Sequence, residues 1–155
     1  MMNNTKYFEE LNIGDQWRTP RRTITESDMV TFNNSMWILL PSFVDEEHIK
    51  ANTQMERRFA TGVMTIPLTA GLFCQLHILD DSLIAMLGME VKDMTRPLYV
   101  GDTIYAEVKV VDKKETSKSE RGIVYFQYTT KNQRDEALAQ ITEIIMVKKK
   151  TRIGC

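Results

Sequence analysis

Asp45 and His48 stand three residues apart in the stretch VDEEHIK, a spacing that puts a carboxylate and an imidazole on one face of a helix. Such a pair can hold a water molecule and carry a proton to or from a reacting atom, which is general acid-base chemistry. Glu46 and Glu56 are further carboxylates within reach of the same segment. The same residues also read as an ordinary acidic helix start followed by a surface histidine, since acids are common in a first helical turn. His77 lies in an apolar run and reads as a packed or hydrogen-bonded core histidine, kept in play only by that position. Cys74, in the same run, reads as a small core hydrophobe rather than a nucleophile. A different chemistry is offered by Thr61, Gly62, Val63, Met64 and Thr65, which open that run. Thr61 is placed to cap a first turn, and Gly62 lets another group approach the backbone. A helix start with amide donors is a ready site for a carbonyl oxygen or an anion.

These residues need a scaffold, and the run 59–81, FATGVMTIPLTAGLFCQLHILDD, predicts its centre: one helix, apolar nearly all round and therefore enclosed. Thr, Pro, Gly, Gln and His interrupt it and two aspartates end it, so it is not a membrane span. Pro67 falls within two turns of its start, where a missing amide donor costs least. Before it, Gln16 to Thr19 reads as an edge strand limited by Pro20. Thr25 with Asp28 reads as a capping box for a helix over 26–34. A second short helix is expected over 45–50. Between them SMWILLPSFV is an oddity, because a loop rarely carries that many large apolar residues unless they face a core or a partner. After residue 81 an apolar patch over 82–90 gives way to alternation. Strands are expected over 91–97, 103–113, 122–131 and 137–149, joined by short polar turns, hence an antiparallel sheet wrapped around the buried helix.

At 155 residues the chain predicts a single domain, 1–155, large enough for a sizeable core. Twenty Lys and Arg nearly balance 21 Asp and Glu, which argues against nucleic acid or an anionic membrane as partner. Lys148, Lys149, Lys150 and Arg152 read as a solvated basic tail. The first fifteen residues do not have the form of a signal peptide. Cys74 and Cys155 have no framework spacing, so a reducing, cytoplasmic setting and no metal site are expected.

The order of elements resembles the hotdog fold, an α+β class, and within it the MaoC-like family of (R)-specific enoyl-CoA hydratases and dehydratases. FEELNIGD, TITESDMVTF, VDEEHIK, ATGVMT and RPLYVGDTIYAEVKVVDKKETSKSERGIVYF carry the resemblance, in order and at matching spacing over most of the chain. It implies a ligand that is an acyl-CoA or carrier-protein thioester, with no other cofactor. It also implies a homodimer, or a heteromer with another hotdog chain, and a binding tunnel at the subunit interface. Gly62 matches the family glycine whose amide donates to the thioester carbonyl, Thr61 stands where histidine is commoner, and Thr65 matches a small hydroxyl position. The family's catalytic Asp and His lie five residues apart in a loop before a Val/Thr-Asp-Glu-Glu helix start. Anchored on Pro41 and Val44, those positions hold Ile38 and Phe43, which cannot transfer protons. Three readings follow: a hydratase or dehydratase with recruited groups such as Asp45 and His48; a non-catalytic acyl-CoA-binding subunit of a heteromeric hydratase; or a hotdog thioesterase using Glu56 or Asp45.

Overall fold

A computed structural model describes residues 4–55 and 57–150, so Glu56, Arg152 and Cys155 lie outside the described residues. Its elements in chain order are β1 (Gln16–Arg18), β2 (Arg22–Thr23), α1 (Glu26–Ser35), α2 (Pro41–Val44), α3 (Glu46–Asn52), α4 (Gly62–Cys74), β3 (Leu83–Met94), β4 (Thr103–Glu115), β5 (Arg121–Lys131) and β6 (Ala137–Lys148). The strands form one antiparallel sheet in the order β1, β4, β5, β6, β3, with β2 also pairing with β4. Together with α4 lying on its face, this is the α+β hotdog arrangement that the resemblance implied.

Alternation explains the sheet's inner face. On β6, Ala139, Ile141, Ile145 and Val147 are buried, and on β5 Val124, Phe126 and Tyr128 are buried, so every second residue faces α4. Phe73 of α4 packs between Phe126 and Tyr128, with ring centroids 5.0 and 5.1 Å away. Met64 and Leu72 fall in a second buried cluster with Ile24, Met29, Leu98, Ile104 and Leu138. The helix therefore joins two halves of the core. Gly122 on β5 is required by the packing: a Cβ there would lie 2.3 Å from the ring of Phe8, which is buried across the strand.

Local signals place the smaller elements. The Thr25 hydroxyl accepts from the Asp28 amide at 3.2 Å, and Asp28 accepts from the Thr25 amide at 2.9 Å, the reciprocal cap expected for α1. The Asp102 carboxylate accepts from the Tyr99 amide at 3.0 Å, while Gly101 takes φ +91°, so the Gly-Asp pair makes the turn into β4.

Several expectations are corrected. The apolar run does not make one helix over 59–81: α4 ends at Cys74, and Asp80 and Asp81 lie in a turn. Nor is α4 enclosed all round within the chain, because Val63, Pro67, Gly71 and Cys74 form an exposed stripe, one helical face at i, i+4, i+8 and i+11. Cys74 is thus not a core residue. His77 is exposed, at φ +55°, and paired with Asp80 at 2.9 Å. The strand expected to begin at residue 91 begins at Leu83. Its pairing with β6 shifts register between Leu83 and Ala85, Met86 and Gly88, and Val91 and Asp93, and each shift breaks the two-residue period by which a strand is recognised. The basic segment is not a loose tail either. Lys148 donates to the Asp81 carbonyl at 2.8 Å, Lys149 pairs with Glu115, and Lys150 pairs with Glu10 at 2.8 Å.

Candidate functional site

α4 begins without a side-chain cap. Thr61 is extended at φ −54°, ψ 141°, and its side chain makes no capping hydrogen bond; its carbonyl accepts from the Met64 amide at 2.9 Å instead. The side-chain cap expected of Thr61 is therefore absent, and the amides of Gly62 and Val63, which have no intrahelical acceptors, point toward the end of the helix. A cavity of about 250 Å³ lies there, lined by Met55, Phe59, Ala60, Gly62 and Thr65 on one side and by Met94, Arg96, Pro97, Leu98, Leu138 and Ala139 on the other. It sits between the start of α4, the end of β3 and the start of β6. The Met94 sulfur covers Gly62 so closely that a Cβ on this residue would lie 2.8 Å from it. Only glycine leaves both the backbone amide and the thioether in place.

The residues predicted for this site divide. Gly62 and Thr65 line the cavity, and Thr65 is buried. Thr61 is also buried but is not part of the lining, Met64 turns into the core beside Met29 and Leu98, and Val63 is 55% exposed on the open stripe of α4.

Two arginines stand on or near this cavity. Arg57 stacks over the Tyr99 ring at 4.5 Å, and the Tyr99 hydroxyl donates to the Met55 sulfur at 3.4 Å, which holds this group against the cavity wall. Arg96 lines the cavity and approaches Glu136 at 3.6 Å. Arg58 is engaged elsewhere, by Glu26 at 2.5 Å and Glu46 at 3.3 Å, and these partners raise its pKa further against the opposing effect of burial.

Asp45 and His48 are not brought to Gly62. Asp45 is the N-cap of α3, its carboxylate accepting from the amides of Glu47 and His48 at 3.0 Å each. His48 sits one turn along, its Nδ1 3.4 Å from the Asn52 side-chain nitrogen. Neither lines the cavity, and Glu46 is held by Arg58. The ordinary reading of that segment, an acidic cap and a first turn, describes its structure.

Ile38 and Phe43 are both half-buried, and Phe43 packs edge-on against Phe59, ring centroids 5.5 Å apart. The aligned loop thus ends one side chain away from the cavity and presents a phenyl ring to it. Sequence reasoning did not name Phe59, Met94, Arg96, Leu138 or Ala139 as lining residues. Phe59 and Arg96 belong to motifs already singled out; Met94 comes from the irregular strand that the pattern concealed.

A second cavity, about 220 Å³, lies at the other end of α4 between Phe73, Cys74, Ile78, Leu79, Leu83, Glu143 and Ile145. Partial desolvation raises the thiol pKa of the otherwise exposed Cys74, with Glu143 and Asp80 adding to the effect. Tyr128 donates to Glu143 at 2.5 Å in the core; its burial, then the neighbouring carboxyl, push the phenol pKa far up. Glu143 was not singled out in the sequence, although a signal exists: it interrupts the buried series Ala139, Ile141, Ile145 and Val147.

No family model matches the chain. Protein MaoC of Klebsiella aerogenes is 35% identical over 116 residues, covering 75% of this chain and 33% of that protein, so the chain spans about a third of that relative's length. The structure of a monoamine oxidase regulatory protein from Archaeoglobus superposes with a TM-score of 0.86 at 30% identity, over 95% of this chain and 97% of that one. The (R)-hydratase PhaJ1 of Pseudomonas aeruginosa superposes with a TM-score of 0.72 at 22% identity, over 93% and 86% of the two chains, a likeness of fold. With near-complete mutual coverage at 30% identity to one of these structures, and with the sequence match to MaoC, the chain belongs to the MaoC-like hotdog dehydratase family.

Proposed function

We propose that this protein binds an enoyl or acyl thioester, of coenzyme A or of a carrier protein, at the start of α4 and takes part in hydrating or dehydrating its acyl group. The observation that carries this reading is the cavity opening onto Gly62 at a helix start with no side-chain cap. A thioester carbonyl there accepts from the Gly62 amide. When a water oxygen bonds to the β-carbon, charge moves onto the thioester oxygen, and a preorganised amide stabilises that charge before the α-carbon takes its proton. Arg96 on the lining, and Arg57 held nearby over Tyr99, suit the phosphates of either thioester carrier.

Proton transfer is the part this cavity does not supply by itself. Its described lining contains no carboxyl and no imidazole, and Ile38 and Phe43 are apolar. This favours a second, compatible reading in which the chain is the thioester-binding half of an assembly whose acid and base come from another hotdog chain. β3 supports a partner of that kind. It is an edge strand of 12 residues with Leu83, Ile84, Met86, Leu87, Val91 and Met94 exposed, continuous with the end of the cavity at Met94. An unpaired apolar edge of this length is a template for pairing with another strand.

Calorimetry with crotonyl-CoA and butyryl-CoA tests the binding reading. Micromolar association that is lost in Gly62→Val is expected, and no association with either would overturn it. Water addition to crotonyl-CoA by the chain alone, abolished in His48→Ala, would return the acid-base role to α3. Thiol release from butyryl-CoA would make the protein a thioesterase.

A further inference from the structure

The cavity at the carboxy-terminal end of α4 has no part in the reading above, and its composition is unusual. Phe73, Ile78, Leu79, Leu83 and Ile145 make it apolar, yet Glu143 lines it at a β6 position whose neighbours on the same face, Ile141 and Ile145, are fully buried. Glu143 is itself only 8% exposed. A carboxyl group in such a setting is costly to bury unless its oxygens find donors. The structure supplies the Tyr128 hydroxyl, at 2.5 Å to one oxygen, and among the described residues no lysine, arginine or histidine forms an ion pair with it. A carboxylate has about four acceptor positions, so one phenol leaves most of that capacity unused on a residue that lines the cavity.

The size and the mouth define what fits. About 220 Å³ corresponds to roughly seven non-hydrogen atoms at the ~30 Å³ that a water molecule occupies in the liquid. Cys74, Asp80 and Leu83 on the lining are exposed, so the cavity opens between the end of α4 and the start of β3. Asp80 at that mouth is engaged by His77, and it adds acceptor character rather than donors.

We infer that this cavity is a binding site for a short aliphatic group tipped with a hydrogen-bond donor, a hydroxyl or an ammonium, whose tip is received by Glu143 while Phe73, Ile78, Leu79 and Ile145 enclose its carbons. Tyr128 is a positioning residue: its hydroxyl fixes one carboxyl oxygen and leaves the other to the ligand. The site excludes a group tipped with a carboxylate, which would set two acceptors against each other. Such a group arrives either as a free small molecule or as the far end of a thioester's acyl chain. The inference does not rest on thioester binding beside Gly62.

Titration of the intact protein with 1-pentanol, pentylammonium and pentanoate, read by methyl chemical shifts of Ile78, Leu79 and Ile145, tests the site. The alcohol and the ammonium are expected to bind about tenfold or more tighter than pentanoate, the discrimination that one satisfied hydrogen bond to a charged or buried acceptor gives. The double variant Glu143→Leu with Tyr128→Phe replaces both polar partners and leaves no orphan, so it stays folded and should lose that preference. Equal shifts for all three probes in the unmodified protein would overturn the inference, as would shifts confined to other methyl groups. Competition with 16-hydroxyhexadecanoyl-CoA, whose chain can span the roughly 18 Å that α4 puts between Gly62 and Cys74, identifies the source: displacement of pentylammonium assigns the site to an acyl tail, and co-binding assigns it to a free molecule.

Discussion

The ring of Phe43 stands edge-on to the ring of Phe59, centroids 5.5 Å apart and planes at 79°, and Phe59 is a wall of the cavity beside Gly62. The loop after α1 is thereby tied to the start of α4 by an aromatic pair. At the place where the family resemblance leads one to expect an imidazole, this chain has packing in its stead. The wall depends on that contact, and so does the shape of the candidate site.

Truncating the pair should loosen both. Phe43→Ala is expected to cost about 1–2 kcal/mol in urea unfolding, from the lost half-buried ring and its aromatic contact. The same variant should weaken crotonyl-CoA binding in calorimetry. A fully stable, unchanged binder would mean that the ring is not part of the wall.

At Gly62 a side chain meets the Met94 sulfur, the end of a flexible residue, so alanine can be accommodated by a shift of the thioether. Valine cannot be, and it occupies the approach to the amide as well. Gly62→Val should lower thioester affinity at least about tenfold, equivalent to about 1.4 kcal/mol. Adding Met94→Ala to Gly62→Ala should restore wild-type stability without obstructing the site. Equal affinity in Gly62→Val and wild type would remove the amide from the binding site.

The edge of β3 gives a solution-state test. Replacing Met86 and Leu87, 58% and 47% exposed, by lysine puts charges on an apolar edge without disturbing the core. Sedimentation should show a shift from an assembled species to a monomer. A wild-type protein that sediments as a monomer at high concentration, and co-purifies with no second chain, would leave β3 without the partner proposed for it.

Gly122→Ala addresses stability alone. The added methyl would lie 2.3 to 2.7 Å from three atoms of the buried Phe8 ring, which Lys113 also holds through its ammonium, 4.3 Å from the ring centroid and 2.7 Å from the Phe8 carbonyl. Overpacking of this kind costs about 1–3 kcal/mol. Phe8→Leu should relieve part of the clash, so the double variant should be more stable than the sum of the two single losses implies, a coupling that a double-mutant cycle measures directly.

The Tyr128 phenol sets an alkaline limit. Its folded-state pKa lies above the value in the unfolded chain, because burial and then Glu143 oppose ionisation. Below about pH 10 both states keep the proton and the Tyr128 contribution is fully present. As pH rises past that point the unfolded chain releases the proton and the folded protein does not, so stability falls by up to about 1.4 kcal/mol per pH unit from this group. Urea midpoints measured from pH 8 to 11 should drop more steeply for the wild type than for the Tyr128→Phe, Glu143→Leu variant. Parallel curves would remove Tyr128 as the cause.

What the sequence could determine alone was everything set by interactions over a few residues. The Thr25–Asp28 cap, the Gly101-Asp102 turn and the alternation of β4, β5 and β6 are local, each fixed by backbone geometry within one turn or one pleat, and they brought an antiparallel sheet into view; the hotdog arrangement and the role of Gly62 came from the family resemblance. Tertiary structure decided the rest. The start of β3 was hidden because bulges against β6 destroy the period that identifies a strand. Asp45 caps the helix that carries His48 rather than lying on it, and the position of that helix relative to α4, a matter of packing, keeps both out of the cavity. Met94 over Gly62, Phe43 on Phe59 and Tyr128 on Glu143 join residues 32, 16 and 15 positions apart in the chain. No short-range preference specifies such meetings; they arise only when the sheet and α4 close on each other and each side chain must find a neighbour.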